Sequence, residues 1–282
     1  MLAVLYGLGA ASAYGTGDFL AGFASRRAPT IVVVLVAKVV GGAMLLVFSA
    51  ATGDQLNNTA IAWGAAAGVA LGLGSLAFYR GLAVGSMGVV AAVMGVGQAL
   101  VPFVAGVAFG ERLSNLALSG AIVGIVAVVL LVAGSAGKAE VPGASRQPSG
   151  LAEGALAGLL FGLFFILLDR ADAGGPLFPS ASAMFSGAVT VLLPALATRQ
   201  KLVPSRAAMP AIVGVGVCSG LGTLAFVLGV REGHLSVVAV VEGLSPAVTA
   251  LCAFFLAEER LSQRQRVGLA VALAGILMMA AG

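Results

Sequence analysis

About ten runs of roughly twenty apolar residues, each closed by a short polar stretch, fill this 282-residue sequence. A helix rising about 1.5 Å per residue needs a run of that length to cross a hydrocarbon core about 30 Å thick. In lipid, a helix also satisfies its own backbone hydrogen bonds. The runs fall at 2–22, 30–50, 60–79, 86–108, 115–134, 151–168, 179–197, 209–229, 236–256 and 264–281. The expected fold is therefore an all-α integral membrane protein of ten transmembrane helices.

Composition excludes the main soluble alternatives. Only 9% of residues are charged, against about 25% in an average soluble domain, too few for a water-facing surface. The 41 glycines suit lipid, where small residues let helices approach closely. Basic residues stand singly or in small groups between apolar runs, so they form no stripe for nucleic acid. Cys218 and Cys252 lie inside apolar runs and read as small buried hydrophobes. Ala11-Ser12-Ala13 mimics a leader cleavage site, but no basic residue precedes it, so the first run is expected to stay as a helix.

The chain is also duplicated. Residues 76–134 align without gaps to 224–282 and match at about a third of positions. Glu111-Arg112-Leu113-Ser114 falls on Glu259-Arg260-Leu261-Ser262, and Val89-Val90-Ala91 on Val237-Val238-Ala239. The expected division is a first five-helix repeat at 1–134, a linker at 135–150 and a second five-helix repeat at 151–282. An odd number of helices per repeat starts the second copy on the opposite side of the membrane, which inverts it. Inverted repeats are the recurring architecture of secondary transporters, with the solute site near the midplane at the repeat interface.

The Pro-containing helix, then Gly110-Glu111-Arg112-Leu113-Ser114 or Glu258-Glu259-Arg260-Leu261-Ser262, then a Gly-bearing last helix, resembles the EamA-type proteins of the drug/metabolite transporter superfamily. The second copy departs from the family's Gly-Glu pair, with Glu258 in place of the glycine. The resemblance implies two inverted five-helix repeats and a solute exporter or exchanger working without ATP. No Gly-x-x-x-x-Gly-Lys-Ser/Thr phosphate loop occurs in the chain. The location expected is the bacterial plasma (inner) membrane, and the expected partners are a small-molecule solute and the lipid bilayer, with no cofactor, metal or nucleic acid.

Polar side chains at helix centres cost several kcal/mol in lipid unless they are paired or face a wet cavity. Lys38 and Glu242 both qualify, in the second and ninth runs, and two readings stand side by side: a mutual ion pair that fixes packing, or groups that handle a solute or a proton. Glu242 sits in Val240-Val241-Glu242-Gly243-Leu244-Ser245-Pro246, where glycine and proline loosen the backbone. Asp18 shares a helical face with Tyr14 at i to i+4 spacing. Gln98, which aligns with Pro246, offers a donor and an acceptor. The candidate substrate- or proton-binding set is Tyr14, Asp18, Lys38, Gln98 and Glu242. A cation and an anion at the midplane would suit a zwitterion such as an amino acid.

Other polar residues read as structural. Trp63 and Tyr79 fit an interfacial aromatic belt. His234 reads as solvated, and Glu111 and Glu259 as caps of the helices that follow them. Loops after odd-numbered helices hold more Arg and Lys than those after even-numbered ones, which puts the odd loops in the cytoplasm and both termini outside. The family resemblance implies the opposite orientation. Two other function classes compete with transport: a membrane-embedded enzyme, disfavoured by a single histidine and dispersed carboxylates, and a non-transporting sensor or assembly protein.

Overall fold

The structure is a computed structural model that describes residues 1–52, 55–84, 87–136, 150–171, 175–199, 202–203, 206–258 and 261–282. The expected linker at 135–150 lies almost wholly outside them, as do Glu259 and Arg260 of the second tetrapeptide and the side chains of Tyr79 and Val89.

Among the described residues the chain is helical and contains no strand. The helices are α1 Leu2–Ser25, α2 Thr30–Thr52, α3 Asn58–Val84, α4 Met87–Ala108, α5 Asn115–Ala136, α6 Leu151–Asp169, α7 Leu177–Ala197, α8 Met209–Arg231, α9 Leu235–Glu242, α10 Ser245–Leu256 and α11 Gln263–Ala281. Eight spans have the length and hydropathy to cross a membrane, with α9 and α10 together forming one of them, and Val93–Ala108 within α4 is a shorter apolar segment. The expectation of ten is met at those eight and, in shorter form, at α4. α1 has the length, 24 residues, but Ser12, Tyr14, Thr16 and Asp18 dilute its apolar character.

The ninth expected span, 236–256, is not one continuous helix. It breaks after Glu242, and α10 restarts at Ser245 with Pro246 in its first turn. Pro246 has no N–H, so the carbonyl of Glu242 lacks the donor that an unbroken helix would provide four residues on.

Contacts at the helix ends sort the chain into two faces. At the first, a Cβ on Gly233 would meet Ala3, one on Gly282 would meet Ser114 and Ala117, and the Arg170 guanidinium lies 4.4 Å from the Phe109 ring. This α4–α5 face thus holds both ends of the described chain and the α4–α5, α6–α7 and α8–α9 turns. The opposite face carries the α1–α2 turn, where Ala24, Ala28 and Val33 pack on Ala208 and Ile212 at the start of α8.

The main helix pairings recur when the two halves are exchanged. α1 packs on α8 as α6 packs on α3, and α4 packs on α6 as α9 and α10 pack on α1. α5 packs on α11, and α2 on α7. Small residues make these approaches close: Gly64, Gly68 and Gly72 on α3 lie against the backbone or side chains of Pro179, Ala183 and Thr190 on α7. Ser182 and Ser186 cross the same seam, donating to the carbonyls of Ile61 at 3.0 Å and Ala65 at 2.8 Å.

The first position of the turn after α4 has a positive φ in both copies despite the substitution. Gly110 has φ 96° and Glu258, in the matching position, has φ 54°. The positive φ therefore persists with a side chain that disfavours it. In each copy the serine of the tetrapeptide caps the next helix. Ser114 accepts from Ala117 N–H at 3.0 Å, and Ser262 forms a reciprocal capping box with Gln265.

Candidate functional site

The break between α9 and α10 positions the site. Glu242 is the last residue of α9 and is fully buried. A buried carboxylate needs donors, and Gln98 of α4 supplies them: its Nε2 lies 3.1 Å from Oε1 and 3.3 Å from Oε2 of Glu242. This contact joins the two halves of the chain. Gly243 allows it, because α4 and α9 meet where Ala99 faces Gly243.

α1 lies along the same break. Thr249 of α10 donates to the Gly15 carbonyl at 2.9 Å, and a Cβ on Gly15 would come within 2.6 Å of the Val248 Cβ. That register brings Tyr14 and Asp18 into electrostatic reach of Glu242. Glu242 is fully buried, whereas Asp18, one turn on from Tyr14, is exposed. Cys218 of α8 packs on this stretch of α1, its Cβ 3.1 Å from where a Gly17 Cβ would sit.

Tyr14 is held on two sides. Its hydroxyl lies 2.8 Å from Thr223 Oγ1, and Thr223 spends its own proton on the Ser219 carbonyl at 2.9 Å, so Tyr14 is the donor. Its ring meets Phe165 edge-on with centroids 6.4 Å apart, and Phe165 stacks on Phe226 at 4.1 Å. Gly222 clears the space, since a Cβ there would lie 2.9 Å from the Tyr14 ring.

Lys38 stands apart from this cluster. It is 8% exposed on α2, and Gly187 of α7 leaves room for its stem, whose Cδ lies 3.5 Å from a Cβ built on Gly187. Among the described residues it has no hydrogen bond or ion pair, and no buried polar atom is orphaned. The Lys38–Glu242 ion pair entertained from the sequence therefore does not form. Helix geometry gives the reason: Lys38 points to the α2–α7 seam, whereas Glu242 points to α4. Of the five sequence candidates, Tyr14, Asp18, Gln98 and Glu242 come together and Lys38 does not join them.

Glu111 differs from expectation. It does not cap α5, which Ser114 does, but reaches into the other half and caps α9. Its carboxylate accepts from Leu235 N–H at 2.7 Å, from Ser236 N–H at 3.1 Å and from the Ser236 hydroxyl. Thr223, Phe165, Phe226 and this role of Glu111 were not legible from the sequence, since each depends on a contact between residues more than fifty positions apart. His234 is exposed at the N-cap of α9, as expected, and Trp63 is 41% exposed.

The family model of EamA-like transporters matches the chain twice, at residues 1–133 and 148–281. No curated protein matches the sequence. A solved structure described only as "Crystal structure of protein" superposes with a TM-score of 0.80, covering 98% of this chain and 95% of its own, at 18% identity. That likeness shows the fold.

Proposed function

The chain belongs to the EamA-like transporter family, and on that premise we propose that it is a ten-span secondary transporter with two inverted five-helix repeats that moves a small metabolite by alternating access. The observation that carries this reading is Glu242. It is a fully buried carboxylate at a helix break, and among the described residues its side chain is hydrogen-bonded only across the interface between the halves. Broken helices at a repeat interface are where secondary transporters bind solute, because unwound backbone there has polar groups to offer. The pairing that survives exchange of the halves supports the repeats, as does the twofold family match.

Tyr14, Asp18, Gln98 and Glu242 form the acidic pole of the site, and Lys38, which lacks a protein counter-ion among the described residues, forms a separate basic pole. Two such poles fit a zwitterion such as an amino acid, its amine near Glu242 and its carboxylate toward Lys38. Glu242 also serves as the proton site, since a carboxyl held between Gln98 and a nearby Asp18 favours one charge state in each conformation. The work is export or exchange at the bacterial plasma membrane, without catalysis.

The test is flux of a panel of amino acids and other metabolites in proteoliposomes, with and without a pH gradient, for the wild type and Glu242→Gln. The reading expects wild-type flux that the gradient accelerates and that the variant loses or uncouples. Wild-type flux with unchanged pH dependence in the variant removes Glu242 as the proton site.

A further inference from the structure

We infer that the structure is closed at its α4–α5 face, and that the closure is a clamp in which Glu111 of one half grips the first turn of α9 in the other. The inference rests on the transporter reading above and adds which end is shut and by which bonds.

Three layers seal that face. Outermost, Arg170 lies on the Phe109 ring at 4.4 Å, tying the α6–α7 turn to the α4–α5 turn. Below it, Glu111 accepts the two backbone N–H groups of Leu235 and Ser236 and the Ser236 hydroxyl. Leu235 and Ser236 are 2% and 0% exposed and Glu111 is half-buried, so these charge-assisted bonds are partly shielded from solvent. Gly106 makes the fold-back possible, because a Cβ there would sit 2.8 Å from the Glu111 carboxyl carbon. Innermost lies Phe226 of α8, which lines a small cavity between α6 and α8 together with Leu168, Asp169 and Arg231. Phe226 stacks on Phe165, which backs onto Tyr14.

Among the described residues, no such seal is found along α1 at the opposite end. Asp18, one turn beyond Tyr14 toward the α1–α2 face, is exposed, and at Gly22, a further turn on, an added Cβ would meet nothing within 4 Å. The Glu242 cluster is thus approached from the α1–α2 face and shut from the α4–α5 face. Glu111 binds a helix that belongs to the other half, so a rearrangement that separates the α4–α5 turn from α9 breaks its three bonds. The clamp stabilises only the closed-face state, and weakening it shifts the population toward the other.

The experiment needs no substrate. A single cysteine, Asp18→Cys, is placed in a background with Cys218→Ser and Cys252→Ser, and is labelled in sealed vesicles by an impermeant thiol reagent applied to one face at a time. Arg27→Cys and Leu56→Cys serve as sidedness controls. Labelling of Asp18→Cys is expected from the α1–α2 face, with rates from the α4–α5 face at least about tenfold lower. Adding Glu111→Gln raises the α4–α5-face rate about tenfold. Ser236→Ala removes a single bond and gives a smaller rise, which tests the clamp should Glu111→Gln fail to insert. Equal labelling from both faces without these changes, or no rise with either of them, overturns the proposal. A protein that transports nothing but shows this labelling pattern overturns the transporter reading and leaves the clamp standing.

Discussion

Gly243 and Ala99 meet so closely that a Cβ on Gly243 would lie 2.7 Å from the Ala99 Cβ. The contact lies one residue from Glu242 on α9 and one residue from Gln98 on α4, so it sets the separation across which Gln98 reaches the carboxylate. Gly243→Ala is expected to push α4 away, costing about 1–3 kcal/mol by overpacking and suppressing flux. Ala99→Gly in the same chain should restore both. Thermal unfolding in detergent and proteoliposome flux check it, and a double variant no better than the single one would remove the geometric link.

Replacing Lys38 should separate stability from activity. A cation at that depth is costly when, as here among the described residues, it has no protein counter-ion, so Lys38→Met is expected to leave the melting temperature unchanged or raise it while reducing flux of carboxylate-bearing solutes. A clear drop in melting temperature would instead mark Lys38 as structural.

Tyr14 donates its proton to a fully buried Thr223. Tyr14→Phe should cost about 1 kcal/mol, the net worth of one such bond. Gly222→Ala, which drives a methyl into the Tyr14 ring, should cost more. Comparing the two unfolding temperatures decides whether the bond or the ring packing holds Tyr14 in place.

Glu258 carries a left-handed backbone that its counterpart Gly110 adopts without strain. Glu258→Gly is expected to stabilise the protein by about 1 kcal/mol, because glycine meets no Cβ penalty there. A lower melting temperature for this variant would show that the side chain contributes more than the strain removes.

The α3–α7 seam should tolerate loss of a hydrogen bond far better than gain of volume. Ser186→Ala removes one interhelical bond, worth about 0.6–2 kcal/mol in membranes. Gly68→Val forces apart backbones already in contact at Ala183 and should abolish insertion or folding. Yields of folded protein by size-exclusion chromatography rank the two.

Sequence by itself determined the class of this protein and the places where it is unusual. Run length and charge scarcity dictate membrane helices, because lipid offers no partner to an open backbone. The matching tetrapeptides betray the duplication, and the cost of polarity in lipid singles out Asp18, Lys38 and Glu242 without any coordinates. Tertiary structure alone decided the pairings. Lys38 and Glu242 carry opposite charges at similar depth, yet rotation of α2 and α9 about their axes turns one to α7 and the other to α4. Glu111 is followed by the same Arg-Leu-Ser as Glu259, but its reach to α9 depends on the space above Gly106, where the second copy has Phe254. Helix rotation and close approach are set by which small residues face each other across a seam, and apolar sequences this uniform leave that to packing.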